Sequence, residues 1–324
     1  MAELRWNPLI GDWVMIASHR QDRPQMPKDW CPFCPGSGKV PENYDVYKYD
    51  NDFPALSQFP PVPDNVATKF YNAIESYGKC EVILYSSRHD AKLWELSKNH
   101  IKKLVELWIQ RYDEIKRDEK IKYVLIFENK GEMVGVTMIH PHGQIYGYPF
   151  IPKRIEIELE NSKRYYDKNN SCLLCDMLKE EIEFEKRIIF KNDYFTVFIP
   201  FFSEYPYGVY ILSNKHRNSI SEFSEKEKLA FADILKNTAG MYDNLFDIPF
   251  PYMMCIYNEP VNNIDADDFF HFHVKFFPPM RSEKNQKFNA SSETGAWAHC
   301  NTTCPEEKAE ELRNAYKKFI LIKK

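Results

Sequence analysis

One short stretch organises this sequence: Thr137-Met138-Ile139-His140-Pro141-His142-Gly143-Gln144. It follows the strand-forming run Tyr123-Val124-Leu125-Ile126-Phe127 and the polar connector Glu128-Asn129-Lys130-Gly131. Side chains alternate between the two faces of an extended backbone, so His140 and His142 are expected to point the same way. One histidine can then be anchored while the other faces a substrate, and the proline between them stiffens the backbone.

The chemistry that suits this stretch is group transfer at phosphorus. A neutral imidazole is a competent nucleophile near neutral pH, and attack by His142 on phosphorus would give a covalent nucleotidyl intermediate. Gln144 adds an uncharged donor that can hold a phosphoryl oxygen as charge builds on it. The alternative interpretation is structural: two strand-end histidines that serve as caps or as hydrogen-bonding groups in a core.

Length and composition limit the class of protein. The chain has 324 residues, enough for one large or two medium domains. Its net charge of −4 and pI of about 6.2 disfavour a nucleic-acid or anionic-membrane partner. No apolar run approaches the roughly 20 residues that span a bilayer, and no signal-peptide hydrophobic region is present. We therefore expect a cytoplasmic protein, in which the eight cysteines are free thiols or metal ligands rather than disulfides.

The N-terminal third contains a Cys-x-x-Cys motif, Cys31 and Cys34, followed at once by Pro35-Gly36. A redox motif would open a helix after a strand, so this context favours metal binding. Arg20 and Arg23 precede the motif. They are either part of a solvated loop or guanidinium contacts to phosphates.

The second half repeats the order of features in the first half. Each half has a cysteine pair, a strand ending near a histidine, an amphipathic helix, a further strand and a His-x-His segment. The second helix begins at the capping box Ser224-Glu225-Lys226-Glu227 and carries apolar positions as far as Leu245 and Phe246. The polar, charged run after Phe150 separates the halves, which gives domains of residues 1–158 and 159–324.

Each half thus offers two cysteines and two histidines for one metal ion. The two sets are Cys31, Cys34, His89 and His140, and Cys172, Cys175, His216 and His271. Two thiolates and two imidazoles make a closed tetrahedral zinc site, which is structural because no position remains for water. Zinc on His140 would fix the backbone that bears His142. In the second half, the two cysteines could instead be buried thiols.

In these motifs and two further segments, the chain closely resembles the galactose-1-phosphate uridylyltransferase family of the histidine-triad superfamily. The segments are Asn51-Asp52-Phe53-Pro54-Ala55-Leu56 and His271-Phe272-His273-Val274-Lys275-Phe276-Phe277-Pro278-Pro279. The resemblance runs from Trp6 to about Arg313. It implies an α+β fold of two fused histidine-triad-like modules, each an antiparallel sheet flanked by helices. It also implies a homodimer with active sites near the subunit boundary, and UDP-glucose and galactose 1-phosphate as substrates in galactose metabolism.

The resemblance implies roles for the matching residues. His142 resembles the nucleophile that becomes uridylylated, Gln144 the residue that binds the phosphoryl group, and the first cysteine–histidine set the zinc ligands. The implied substrate contacts are Arg20 and Arg23 to phosphates, Asn51, Asp52 and Phe53 to uridine, Asn129 and Thr137 in the phosphate region, Lys287 to the hexose phosphate and Glu293 to sugar hydroxyls.

The chain also departs from the family pattern. Some members hold a second metal with a glutamate and three histidines; here His273 matches, while Tyr257 and Lys275 replace two histidines. Ser292 replaces a tyrosine that contacts the sugar phosphate. The main interpretation is ping-pong transfer of UMP from UDP-glucose to a hexose 1-phosphate. The alternatives are a nucleotide-sugar phosphorylase, similar to ADP-glucose phosphorylase, that uses inorganic phosphate, and a non-catalytic zinc-stabilised nucleotide-binding protein.

Overall fold

The computed structural model describes residues 2–22, 30–246 and 248–322. The strands are β1 (Ala2–Asn7), β2 (Asp12–Ala17), β3 (Tyr47–Asp50), β4 (Ala73–Glu75), β5 (Lys79–Leu84), β6 (Tyr123–Lys130), β7 (His142–Tyr148), β8 (Ile188–Lys191), β9 (Phe195–Phe198), β10 (Tyr210–Ser213), β11 (Tyr252–Tyr257) and β12 (His273–Phe277). The helices are α1 (Lys98–Ile115), α2 (Lys153–Asn169), α3 (Leu173–Phe184), α4 (Glu225–Asp243), α5 (Ser291–Ala296) and α6 (Pro305–Ile322). Helices and antiparallel strands together confirm the predicted α+β class.

The two long helices that the apolar spacing predicts form for local reasons. The Ser97 side chain caps α1 by accepting a hydrogen bond from the backbone N–H of His100, and the periodic apolar side chains are buried. Helix α4 begins at the predicted capping box, in which the side chains of Ser224 and Glu227 satisfy each other's backbone N–H groups. It ends at Asp243, so the placement of Leu245 and Phe246 on this helix was wrong. Both pack against the core from the following turn instead.

Within the described residues, nine strands form one antiparallel sheet in the order β3-β5-β7-β6-β11-β12-β10-β9-β8, here called the large sheet. The order is mirrored about its middle, so that β6, β7 and β5 correspond to β11, β12 and β10. The halves meet where β6 pairs with β11, from Lys130 opposite Tyr252 to Ile126 opposite Ile256. The predicted repeat is therefore present, and the two modules share a single sheet.

The two faces of the large sheet pack against different elements. One face is covered by α1, α4 and α6, with Trp108, Phe231 and Leu312 fully buried. The other face holds a tyrosine-rich cluster that includes Tyr146 and packs against β1 and α2. Residues of β7 alternate between these faces, so His142, Gln144 and Tyr146 share the second face.

The end of β6 differs from the sequence pattern. Glu128, Asn129 and Lys130, which look like a connector because they are polar, are the last residues of β6, and the connector begins at Gly131. Helix α2 spans the predicted domain boundary between residues 158 and 159. Among residues 2–22, 30–246 and 248–322, no helix combines the length and apolar character that crossing a membrane requires.

Candidate active site and metal clusters

His142 opens β7, where it pairs with Leu84 of β5. Its Nδ1–H donates to the backbone oxygen of His140 at 2.7 Å. Because that nitrogen carries the proton, Nε2 is the nitrogen with the lone pair in the neutral ring. The half-buried imidazole is therefore held in the tautomer that a nucleophile needs.

Open space lies beside the ring. A larger cavity of about 480 Å³ is lined by His142, Asn129 and the loop from Gly131 to Pro141. A smaller cavity of about 170 Å³ is lined by His142 and Gln144 together with predicted nucleotide contacts, namely Asn51, Asp52, Phe53 and Thr137. The fold thus brings residues that lie far apart in the sequence to one histidine. A ligand could approach His142 from either cavity.

The first cysteine–histidine set comes together next to this histidine. The ligand atoms of Cys31, Cys34, His89 and His140 all lie within 4.8 Å of one another. The Cys34 Sγ atom lies 3.4 Å from His89 Nδ1, and His140 Nδ1 lies 3.7 Å from both sulfurs. This set could hold one metal ion.

The surroundings of these ligands suit a metal. His140 Nε2–H donates to the backbone oxygen of Ser86 at 2.7 Å, so the lone pair of Nδ1 points towards the sulfurs. Burial lowers the pKa of His140 to about 4, which keeps the ring neutral. Burial and the adjacent Cys31 thiol raise the pKa of Cys34 to about 11, and a bound cation would favour its thiolate form.

The second set has the same construction. The ligand atoms of Cys172, Cys175, His216 and His271 also lie within 4.8 Å of one another. The Cys175 Sγ atom lies 3.3 Å from His216 Nδ1 and 3.2 Å from His271 Nδ1. Both rings donate their Nε2–H to backbone oxygens, at 2.8 Å and 3.0 Å. This shared orientation favours a metal over the alternative of unrelated buried thiols.

His273 is the counterpart of His142 in the second half. Its Nδ1 also donates to the oxygen two residues earlier, at 2.7 Å, but its ring is only 2% exposed. Tyr257 stacks on it with ring centroids 4.7 Å apart, and Lys275 donates to both oxygens of Glu158 at 2.6 Å. Tyr257 and Lys275, which stand where some family members are expected to have second-metal histidines, thus form a packed ring pair with His273 and an ion pair with Glu158. Burial lowers the pKa of His273 to about 3, so this ring is neutral.

Sequence reasoning missed Phe33, which lies between the two cysteines of the motif. Its ring is 5.6 Å from the ring of His142, 5.9 Å from that of His140 and 5.4 Å from that of Tyr49. The side chain is buried and lines the smaller cavity. The Cys31–Cys34 segment therefore supplies a wall beside His142 as well as two candidate metal ligands. Its position between two predicted ligands is the signal that could have identified it.

Two tyrosines that the sequence did not single out support predicted contacts. The Tyr49 hydroxyl donates to Asp52 Oδ2 at 2.8 Å. The Tyr146 hydroxyl donates to Gln144 Oε1 at 3.3 Å and accepts from Arg20 Nη1 at 3.3 Å. Tyr146 follows Gln144 by two residues on a strand, so period-two alternation could have found it.

Of the other predicted substrate contacts, Arg20 lies close to the smaller cavity, whereas Lys287 and Glu293 do not line it. Arg20 Nη1 also donates to the Phe53 oxygen at 3.0 Å. Arg23 lies outside the described residues. Lys287 and Glu293 form a buried ion pair, with Lys287 Nζ 2.5 Å from Glu293 Oε1. Neither residue lines the two cavities beside His142.

Known proteins resemble this chain over nearly its whole length. The family model described as the N-terminal domain of galactose-1-phosphate uridyl transferase matches residues 1–152, and the C-terminal domain model matches residues 158–319. The galactose-1-phosphate uridylyltransferase of Thermotoga maritima is 42% identical over 315 residues, which cover 97% of this chain and 98% of that protein. The Haemophilus influenzae protein of the same name is 30% identical over 328 residues, 95% of this chain and 93% of the relative.

A solved structure of a uridylyltransferase has the same fold. The TM-score is 0.89 at 30% sequence identity, and the match covers 98% of this chain and 99% of that chain.

Proposed function

Because this chain belongs to the galactose-1-phosphate uridylyltransferase family, we propose that it transfers a uridylyl group from UDP-glucose to galactose 1-phosphate through a covalent intermediate on His142. One observation supports His142 as the nucleophile. The backbone oxygen of His140 fixes the tautomer of its ring, and two cavities open beside that ring. The named relatives favour transfer to a sugar phosphate over the phosphorylase and the non-catalytic alternatives.

The first half-reaction forms the intermediate. His142 Nε2 attacks the α-phosphorus of UDP-glucose, a P–N bond forms, and the bond from phosphorus to the bridging oxygen breaks. Glucose 1-phosphate leaves with that electron pair. Because this leaving group is a stabilised phosphate, little acid catalysis is needed, and positioning with charge stabilisation lowers the barrier.

The second half-reaction restores the histidine. A phosphate oxygen of galactose 1-phosphate attacks the same phosphorus, the P–N bond breaks, and UDP-galactose leaves. The Gln144 amide donates to a non-bridging oxygen in both steps, where negative charge increases in the transition state. Both steps use one site, so the kinetics are expected to be ping-pong.

The nucleoside is assigned to the smaller cavity. Asn51, Asp52 and Phe53 line it together with the ring of Phe33. The Asp52 carboxylate, oriented by the Tyr49 hydroxyl, is suited to accept from ribose hydroxyls. Asn129, Thr137, Arg20 and Arg23 are assigned to the phosphates, as the resemblance implies.

We assign Zn²⁺ to both cysteine–histidine clusters. Four-coordinate Zn²⁺, with bonds of about 2.3 Å to sulfur and about 2.0 Å to nitrogen, separates neighbouring ligand atoms by roughly 3.5 Å. The sulfur–nitrogen distances of 3.2–3.7 Å are compatible with that geometry. With two cysteines and two histidines each, the sites are closed and their role is to cross-link chain segments. The first cross-link holds Phe33 and His140 beside His142.

The active unit is proposed to be a homodimer. Lys287 and Glu293, the implied hexose-phosphate and sugar contacts, do not line the cavities beside His142 of their own chain. A site near a subunit boundary would receive them from the partner protomer. Their mutual ion pair would then open when a sugar phosphate binds.

A turnover assay tests the function. His142→Ala should abolish formation of UDP-galactose from UDP-glucose and galactose 1-phosphate, while the far-UV spectrum and bound zinc stay unchanged. His273→Gln is the matched control, because His273 has the same Nδ1 hydrogen bond but lies buried away from both cavities. Near wild-type turnover by His142→Ala would refute the proposal. Production of UDP with inorganic phosphate as the only acceptor would instead indicate the phosphorylase.

A further inference from the structure

The side-chain amide of Gln144 has two unlike ends. Its Nε2 donates hydrogen bonds, whereas its Oε1 accepts them. A phosphoryl oxygen that gains negative charge is stabilised by the first and repelled by the second. The strand that carries Gln144 fixes the position of the side chain but does not decide which end of the amide faces the cavity.

Neighbouring groups decide the orientation through the direction of their hydrogen bonds. A guanidinium only donates, so the bond of 3.3 Å between Arg20 Nη1 and the Tyr146 hydroxyl must use a lone pair of the tyrosine oxygen. The hydroxyl hydrogen can then reach Gln144 Oε1, which lies 3.3 Å away, while the Cys80 side chain is a further hydrogen-bonding neighbour of the hydroxyl. The chain of donors runs from Arg20 through Tyr146 to Gln144, and it leaves the amide NH₂ for the cavity.

The tyrosine itself is well held. Its side chain is 6% exposed, and the ring of Phe127 packs against it edge-on with centroids 5.0 Å apart. A hydrogen bond at such a buried site is stronger than one in water. If the amide turned over, both Arg20 and Gln144 would direct N–H groups at one tyrosine oxygen, and Oε1 would face the phosphoryl oxygen.

We propose that Tyr146 is a positioning residue that sets the orientation of the Gln144 amide, so that its NH₂ group meets the phosphoryl oxygen during transfer. The inference rests on the proposed function, in which Gln144 stabilises that oxygen. Tyr146 acts only through Gln144 and does not touch the substrate. Its hydroxyl should therefore affect the chemical step more than ground-state binding of UDP-glucose.

Tyr146→Phe tests this by removing one oxygen atom. We expect the single-turnover rate of nucleotidyl transfer to His142 to fall about fivefold to tenfold, in line with loss of one net hydrogen bond. Binding is measured in the His142→Ala background. There, adding Tyr146→Phe should change the dissociation constant for UDP-glucose by less than about twofold. Tyr148→Phe is the matched control, since Tyr148 lies on the same face of β7, is also buried and has no hydrogen bond to Gln144. It should retain the wild-type rate.

A double-mutant cycle separates orientation from structural damage. In a Gln144→Met background there is no amide to orient, so Tyr146→Phe should not lower the single-turnover rate of nucleotidyl transfer any further. The inference would be overturned if Tyr146→Phe lowered the transfer rate by the same factor in the Gln144→Met background as in the wild-type background. It would also be overturned if the rate of the single variant Tyr146→Phe lay within twofold of the wild-type rate. Absence of any nucleotidyl adduct on the wild-type protein would instead refute the proposed function, so the two failures are distinguishable.

Discussion

At His142, one backbone oxygen sets the tautomer of the imidazole ring. The carbonyl of His140 binds Nδ1–H, and His140 is itself held by Ser86 and by two sulfurs at 3.7 Å. A short chain of contacts therefore connects the first cysteine–histidine cluster to His142, the proposed nucleophile. Phe33 adds a second connection, because the cysteine knuckle places its ring against both imidazoles.

The role of Phe33 gives a prediction for a single residue. Phe33→Ala removes the wall beside His142, so the ring can leave its attack position, and misplacement of reacting groups is costly. We expect nucleotidyl transfer to slow by roughly tenfold to a hundredfold, with bound zinc unchanged. Phe33→Leu, which keeps an apolar wall, should stay within a few fold of wild type. Rapid-quench measurement checks both rates, and equal rates for the Ala and Leu variants would contradict the role of the wall.

Among the elements, the two cysteine knuckles look alike but lie in different surroundings. The first contacts His142, the proposed nucleophile, through Phe33 and His140, whereas the second joins the start of α3 to the segment before β12. Cys34→Ser and Cys175→Ser are therefore expected to differ.

Each variant should lose one bound zinc ion when measured by atomic emission. Cys34→Ser should lower nucleotidyl transfer at least about tenfold, because it frees the backbone that holds His142. Cys175→Ser should leave that rate within about twofold while it lowers thermal stability. A full loss of transfer in Cys175→Ser with the fold retained would show that the second cluster serves the site directly.

Strand β6 carries a buried carboxyl on the face opposite Gln144. Glu128 is 6% exposed, and its Oε1 accepts from the Tyr252 hydroxyl at 3.1 Å. Burial raises its pKa from 4.5 to about 7, against the opposing effects of Lys130 and Tyr252. Between these values the folded state binds more protons than the unfolded state, so the contribution of Glu128 to stability is present at low pH and is lost as the pH rises.

Glu128→Gln removes this titration while keeping shape and an acceptor oxygen. Relative to wild type, the variant should gain about 2 kcal/mol of unfolding free energy on going from about pH 5.5 to about pH 8.5. Urea unfolding at both pH values measures the difference. A constant offset between variant and wild type at both pH values would show that Glu128 stays ionised in the folded protein.

The sequence predicted local features well, for physical reasons. Apolar spacing along α1, the capping box of α4 and the Cys-x-x-Cys motif each depend on neighbours within a few residues. What the sequence did not predict depends on contacts between distant segments. The continuation of β6 to Lys130 requires β11 as a partner, and the Tyr146–Arg20 contact joins residues far apart in the chain. The Lys287–Glu293 ion pair was missed because each residue was assigned to substrate from the resemblance.

On the scale of the whole molecule, the repeat places one histidine, His142, beside two cavities and buries its counterpart, His273. The β6–β11 pairing joins the modules into one sheet, yet Tyr257 and the Lys275–Glu158 pair fill the space around His273. The second module thus supports the sheet, and its C-terminal segment carries the implied sugar contacts, Lys287 and Glu293. A dimer would let that segment serve a neighbouring site.

Subunit complementation tests this arrangement. His142→Ala and Lys287→Met should each be inactive alone. In a mixed dimer, the intact His142 of one protomer would meet the intact Lys287 of the other, so mixing after mild dissociation should restore activity. Failure to recover activity, with mixed dimers demonstrated by differential tagging, would place Lys287 in the site of its own chain.

The most direct test of the central claim is the intact mass of the protein after mixing with UDP-glucose and removal of glucose 1-phosphate. The account predicts that wild-type protein gains the mass of one uridylyl group per chain, that peptide mapping finds it on His142, and that galactose 1-phosphate removes it. An unmodified wild-type protein that still forms UDP-galactose, or an equal adduct on His142→Ala, would contradict it.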